Sequence, residues 1–591
     1  MNKFFNRESN YDKYPEIRIS GYDDECWVGW HDICNRLKSD LYKIDKKVKI
    51  VVVECYQGVL DRDVLFSLKK GFSSSYWFLS SNVMKFSEEV DRLLKEDITD
   101  DEIFGYFTRK NIDCYFDPQK IENIRTEISS ISEGVVFVYG VGAAYIQPES
   151  DLLLYVDMAR WEIQLRFRKN AISNVGVENS GQRASLQYKR AFFVDWRICD
   201  RFKKTLMGRW NYVLDTNIEG SPKMASARAL QAGLEKASRT PFRVVPFFDP
   251  GPWGGQWMKE VCDLDRDVSN FAWCFDCVPE ENSLYIRIGE VRFEIPSINL
   301  VFAYPARLLG NPVYGRFGDE FPIRFDFLDT MDGGNLSLQV HPLTQYIQEK
   351  FGMNYTQDES YYMLDAAEDA SVYLGLKENI IPQDFIKALN DAQESGNFDA
   401  EKYIGHYPVK KHDHLLIPAG TIHCSGINGM VLEISATPYI FTFKLWDWGR
   451  LGLDGRPRPI NIKHGQNVIQ WNRSESWVRK ELINKVELIE LGDGWREERT
   501  GLHENEFIET RRHWFSVPVL HHTNGSVNVL NLIEGDEAVV ESPSGQFEPF
   551  VVHYAETFII PEYVKEYTIR PYGKSIGREC ATIKAYVRHN P

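Results

Sequence analysis

Residues Asn335–Pro342 read NLSLQVHP, with Leu338 and Val340 alternating with Gln339 and His341 before a proline closes the run. Successive strand side chains point to opposite faces, so a strand here sets Gln339 and His341 side by side on one face. On a buried face each needs a partner, because an unsatisfied polar group costs about 1–3 kcal/mol. A hydrogen-bond network and a metal ion would both supply one. Downstream, Glu359 begins a strand-like run in DESYYML (358–364), and His423 follows a Pro-Ala-Gly turn in IPAGTIHCSG (417–426). Gln339, His341, Glu359 and His423 together offer borderline and hard donors suited to a divalent ion such as zinc. Because the glutamine is neutral, such a site keeps a net positive charge and acts as a Lewis acid rather than a closed structural site.

The chain has 591 residues, too many for one core, and about 150 residues per domain suggests three or four lobes. Its 43% hydrophobic and 13% aromatic content belongs to a folded protein. A formal net charge of −16 argues against nucleic acid or anionic membrane as the main partner. It leaves room for a small phosphorylated substrate, which a few local Lys or Arg residues suffice to bind. The longest apolar run, Val135–Ile146, falls short of the roughly 20 residues that span a bilayer. The opening MNKFFNRESNYDKYPEI lacks the apolar core of a signal peptide. Ten scattered cysteines make no disulfide framework. A cytoplasmic location is expected, and the oligomeric state is left open.

The expected fold class is α+β, with an α/β layer on a parallel-like sheet followed by β-rich domains. Residues 1–215 alternate strand-like and helix-like runs: KVKIVVVECY (47–56) reads as a buried strand and FSEEVDRLLKEDI (86–98) as an amphipathic helix. GVVFVYGVGAAYI (134–146) reads as a strand entering a glycine turn, and RAFFVDWRICDRFKKTLM (190–207) as a strand leading into a helix. A helical linker, 216–245, contains SARALQAGLEKAS and leads to the Pro/Gly cluster VVPFFDPGPWGGQWM (244–258). Short β-rich runs then dominate 246–475 and 476–591, interrupted by a helical island at 382–404.

Six motifs in this order resemble the class I, zinc-dependent mannose-6-phosphate isomerase family: PWGGQWM (252–258), FGDEFPIRFDFLDT (317–330), LSLQVHP (336–342), DESYYML (358–364), IPAGTIHCSGINGMVLEI (417–434) and FKLWDWGR (443–450). The resemblance covers roughly residues 245–591. It implies cupin (jelly-roll) domains, the first catalytic with its helical insertion and the second metal-free. It also implies Zn2+ held by Gln339, His341, Glu359 and His423, and a sugar phosphate such as mannose 6-phosphate as substrate.

The chain departs from that family at three polar positions. Lys444 stands where the family has an arginine, with Arg450 six residues on, and lysine lacks the bidentate fork. Asp326 and Gln357 stand where the family has lysines; solvated strand residues are the plain alternative for both. Arg324, Lys444 and Arg450 are the cations available for a phosphate or an enediolate. The altered cations support a second reading, a non-catalytic sugar-sensing zinc protein. His412 and His414 in KHDHLL repeat the i, i+2 spacing but read as solvated turn residues, and Cys274-x-x-Cys277 reads as two ordinary thiols. The first 215 residues faintly resemble nucleoside-type P-loop kinases, yet no G-x-x-x-x-G-K-[ST] occurs. Gly140 and Gly142 read as a tight turn rather than a phosphate cradle.

Overall fold

The computed structural model describes residues 8–437, 441–452, 455, 458–501 and 503–589. The first seven residues of the N-terminal run, and 438–440 in the β-rich run before FKLWDWGR, lie outside the described residues. The architecture is α+β, with a mainly parallel sheet in the N-terminal region and antiparallel sheets beyond it.

Val48–Cys55 is rich in β-branched residues, which favour extended backbone, and its apolar run suits a strand covered on both faces. It lies at the centre of the N-terminal sheet, parallel to Gly134–Gly140 on one side and Leu152–Asp157 on the other. Tyr76–Leu79 and Tyr212–Asp215 extend it in parallel. Lys223–Ser226 and Cys26–Val28 complete seven strands in antiparallel fashion. The sheet thus runs past residue 215 and takes a strand from a segment expected to be a helical linker. Asp215 and Lys223 pair at 3.1 Å across that junction, and Ser226 caps the helix Ala227–Ala237. A further crossover ties Glu16–Ile19 in parallel to Ser283–Ile288, so the chain ends of the first region interleave with the second.

One expected element is wrong in type. RAFFVDW is not a strand: Ala184–Arg190, a wide π turn at Ala191–Asp195 and Trp196–Leu206 form one continuous helical segment. All seven residues from Arg190 to Trp196 are buried, so no polar face reveals the helical period, and short apolar runs are ambiguous on that account.

The glycine turn after Gly134–Gly140 is filled by a carboxyl of its own, which burial pushes up to about 8. Glu54 accepts hydrogen bonds from the Gly142 and Ala144 amides at 2.7 and 2.8 Å, filling the place that a phosphate takes in a phosphate-binding loop. Gly140 and Gly142 have φ of 120° and 78°, and a Cβ on Gly140 would meet Ser80 Oγ at 2.3 Å.

Residues 247–446 supply two antiparallel sheets. The first orders His414–Ile417, Glu359–Ala366, Gly429–Ser435, Arg324–Asp329, Trp273–Cys277 and Phe247–Asp249. The second orders Ile404–Pro408, Ser371–Leu376, His423–Ser425, Leu338–Val340 and Phe443–Trp446. The helical island is present as Pro382–Ser395 and Ala400–Tyr403. A six-stranded and a four-stranded sheet follow between Glu487 and Val587.

His414, expected in a solvated turn, is fully buried on its strand, and burial pushes its imidazole down to about 3. His513 is likewise buried and pushed down to about 4, by burial set against Glu497. The folded state therefore refuses protons that the unfolded chain binds below about pH 6.5. Stability is present above that pH and is lost as pH falls toward these folded values. Each histidine is expected to contribute on the order of 1 kcal/mol per pH unit in that window. Denaturant titrations at pH 7 and pH 5 check this, and His414→Leu is expected to flatten the slope.

Candidate metal centre

Three adjacent strands, His423–Ser425, Leu338–Val340 and Phe443–Trp446, bring Gln339, His423 and Lys444 together. Gln339 pairs directly with His423 on one side and with Lys444 on the other, so all three share one face. His341 follows on the same face two residues after Gln339. Glu359 opens a strand of the opposite sheet and reaches across to them. Its two oxygens lie 3.1 Å from His341 Nε2 and 2.7 Å from His423 Nε2, and the Gln339 amide lies 3.2 Å from His423 Nε2. Donor atoms of His341, Glu359 and His423 all fall within 4.8 Å of one another, and all three residues are buried.

The hydrogen bonds around this cluster decide what it fits. His341 Nδ1–H donates to the Phe441 carbonyl at 3.0 Å, and His423 Nδ1–H donates to the Thr421 carbonyl at 2.9 Å. A carbonyl can only accept, so each Nδ1 carries a proton and each ring turns its Nε2 toward Glu359, as a bare lone pair if the ring is neutral. Among the described residues, His341 Nε2 and Glu359 Oε1 are buried with no hydrogen-bond partner. Acceptors facing acceptors at such distances require a cation between them or two charged imidazoles around one carboxylate. Burial pushes the Glu359 carboxyl up, yet the two imidazoles hold it well below the usual carboxylate range. Two nitrogens, a carboxylate and an amide suit a divalent ion of the zinc type, so the residues fit the group.

Supporting contacts orient these side chains. Gln357 Nε2 donates to Glu359 Oε2 at 2.9 Å and to Glu433 Oε1 at 3.2 Å, while its Oε1 accepts from the Phe441 amide at 2.8 Å. Phe441 therefore holds His341 through its carbonyl and Glu359 through Gln357. Removing such outer partners typically weakens metal binding about 10–100-fold, and Gln357→Leu is expected to do so in a chelator competition. Asp326 is paired with Arg324, and both are buried. Burial, opposed by Arg324, pushes the Asp326 carboxyl up to about 6. Neither Asp326 nor Gln357 is a solvated strand residue.

Lys444, Arg324, Asp326, Gln339 and Gln357 line one cavity of about 580 Å³. Among the described residues the Lys444 ammonium has no carboxylate partner, and burial, reinforced by Arg458, pushes it down to about 7. Arg450 stands apart from the cavity lining and is paired with Asp447 at 2.7 Å, donating also to the Asn335 carbonyl. Arg458, which the sequence reading missed, takes the cavity-facing place and shares the same Asp447 at 2.9 Å. Glu433 was also missed. It lines the cavity, and burial together with the nearby carboxylates of Glu359 and Asp326 raises it well above the ordinary carboxylate range. Its signal was a lone acid inside the fully buried strand GMVLEIS.

The remaining candidates lie elsewhere. His412 bonds Tyr362 Oη and Glu534 rather than the cluster. Cys274 and Cys277 are buried free thiols on one strand.

Two curated relatives are similar to this chain. The mannose-6-phosphate isomerase of Streptococcus mutans is 26% identical over 243 residues, 40% of this chain and 71% of that protein. The mannose-6-phosphate isomerase ManA of Bacillus subtilis is 28% identical over 153 residues, 26% of this chain and 45% of that protein. Part of the chain is thus similar to mannose-6-phosphate isomerases. Among solved structures, the Bacillus subtilis mannose 6-phosphate isomerase is matched over its whole length and 59% of this chain, with 18% identity and a TM-score of 0.49. Residues 29–239 match a separate family described as a domain of unknown function, DUF8485. The isomerase resemblance and that domain thus meet in one chain.

Proposed function

We propose that this protein is a zinc-dependent aldose–ketose isomerase that interconverts mannose 6-phosphate and fructose 6-phosphate, or a closely related pair of sugar phosphates. The observation that carries the reading is the buried convergence of Gln339, His341, Glu359 and His423 beside a cavity that Lys444 enters. The names of the curated relatives support it.

Zinc held by these four residues would supply Lewis-acid polarisation of the sugar's carbonyl and hydroxyl oxygens. The chain's own residues do the rest. Isomerisation moves a proton between adjacent carbons through an enediol, and negative charge develops on oxygen during that transfer. Lys444 is the cation placed to meet that charge. Glu433 and Asp326, buried carboxyls raised from their ordinary values, are placed to hold protons in the cavity. Arg324 fixes Asp326, and Gln357 fixes Glu359. Arg450 acts at one remove, clamping Asp447 and through it Arg458. Folding as domains 246–475 (catalytic cupin) and 476–591 (metal-free cupin-like) belongs to the same proposal, as does a cytoplasmic location.

The deciding assay is conversion of mannose 6-phosphate to fructose 6-phosphate by the zinc-loaded chain, with a chelator-treated control. Chelator-sensitive turnover is expected. Absence of turnover with zinc bound overturns the isomerase and leaves the sensor reading, which one contact favours: Phe104 of the N-terminal region stacks 4.6 Å from Phe441, whose carbonyl holds His341.

A further inference from the structure

The cavity over the metal cluster is not built by the β-sheets alone. Its far wall comes from the N-terminal region: Glu102–Phe104, and the helical segment that carries Arg183, Tyr188, Lys189, Phe192 and Phe193. This wall is anchored to the sheets at several points. Phe104 packs against Phe351, Phe441 and Phe443, the Phe107 amide donates to the Phe351 carbonyl at 2.9 Å, and Asp101 pairs with His464 at 3.2 Å. The π turn at Ala191–Asp195 aims Phe192 and Phe193 at the cavity, and such turns interrupt helices most often where a site needs them.

The charge on this wall runs against that of the molecule. In a chain of net charge −16, the N-terminal wall brings Arg168, Arg183 and Lys189 to the cavity against one carboxylate, Glu102. Arg168 is already paired with both oxygens of Asp249. Lys189 donates to the backbone carbonyls of Thr99 and Asp101 and has no carboxylate partner among the described residues. Arg183 is exposed and paired with Glu102 at 2.9 Å, a pair that solvent weakens and that a dianion can compete with.

We propose that the N-terminal region is a working part of the substrate site: it closes the cavity over the metal cluster and holds the phosphate of a sugar phosphate with Arg183 and Lys189. This rests on the isomerase reading for the identity of the ligand, but not on turnover.

Calorimetric titration of the full zinc-loaded chain with mannose 6-phosphate, mannose and inorganic phosphate tests the assignment. Arg183→Ala and Lys189→Met are each expected to weaken mannose 6-phosphate binding about tenfold, as loss of a charge-assisted contact does, while mannose binding is unchanged. Arg62→Ala, an exposed pair with Glu219 on the same domain and outside this cavity, is the control and is expected to bind like wild type. Arg183 is exposed enough for its variant to fold, so it carries the test if Lys189→Met does not. Wild-type affinity in the Arg183 variant overturns the proposal while leaving the isomerase untouched. Binding with the expected losses but no turnover overturns the isomerase and sustains the proposal. Equal weakening of mannose and mannose 6-phosphate indicates a purely structural wall and overturns the phosphate assignment, as does failure of the wild-type chain to bind the phosphorylated sugar.

Discussion

Glu359→Gln is expected to empty the metal site, taking zinc from about one per chain to a tenth of that and turnover down by about a thousandfold. The substitution keeps the shape of the side chain and the Gln357 contact, so loss of packing is not the cause. It removes the negative charge that stands 2.7 and 3.1 Å from two imidazole nitrogens, and with it the anionic ligand in the set. An amide also presents a donor toward one Nε2 lone pair, which satisfies that ring and removes its need for a cation. His423→Ala is expected to act in the same direction, leaving the Gln339 amide and Glu359 without their common neighbour. Metal content by atomic emission, measured beside the melting temperature, separates ligand loss from unfolding. Stoichiometric zinc retained in both folded variants would sink the four-residue set.

Lys444→Ala is expected to lower kcat/KM by about 10²–10³ while zinc content stays at wild-type level. The lysine pairs across the sheet with the proposed ligand Gln339 but shows no side-chain bond to any of the four proposed ligands among the described residues, so metal binding is expected to survive its removal. What is lost is a desolvated cation facing the cavity, where charge interactions are stronger than in water. Because the charge it meets develops during proton transfer, the loss is expected mainly in kcat. Lys444→Arg is expected to recover part of the rate, since it restores the charge but on a planar guanidinium fork instead of a compact ammonium. A sensor protein would show the opposite division, with weaker sugar binding and no rate to lose. Steady-state kinetics set beside titration of mannose 6-phosphate distinguish the two.

Much of the site was legible because it is written in local spacing. Gln339 and His341 stand two apart on a short alternating run, and that period alone places them on one face. Glu359 and His423 each open a short strand that lies buried in the structure, Glu359–Ala366 and His423–Ser425. The strands themselves were legible where β-branched residues crowd, as in Val48–Cys55, and the helices where polar and apolar residues alternate at helical period, as in Ser87–Ile98. RAFFVDW failed for want of that contrast: buried on every side, it has no periodic signal, and only its packing between the N-terminal core and the cavity makes it helical. Glu433 and Arg458 were passed over for a related reason. Glu433 is hidden in an apolar run at the end of the motif 417–434, whose histidine drew the reading, and Arg458 lies in a loop outside every motif.

The amino-acid sequence by itself therefore determined the donor types, their order along the chain, and the faces on which neighbours fall. Those follow from backbone geometry over a few residues and need no knowledge of the remainder. The tertiary structure decided what depends on contacts between residues far apart: that Phe441 serves both His341 and Gln357, that Asp447 draws Arg450 aside while Arg458 lines the cavity, that Glu54 fills the glycine turn, and that the N-terminal region walls the cavity of the β-sheets. Hydrogen bonds and ion pairs of this kind form between groups brought within about 3 Å of each other by packing, and packing is a property of the whole chain.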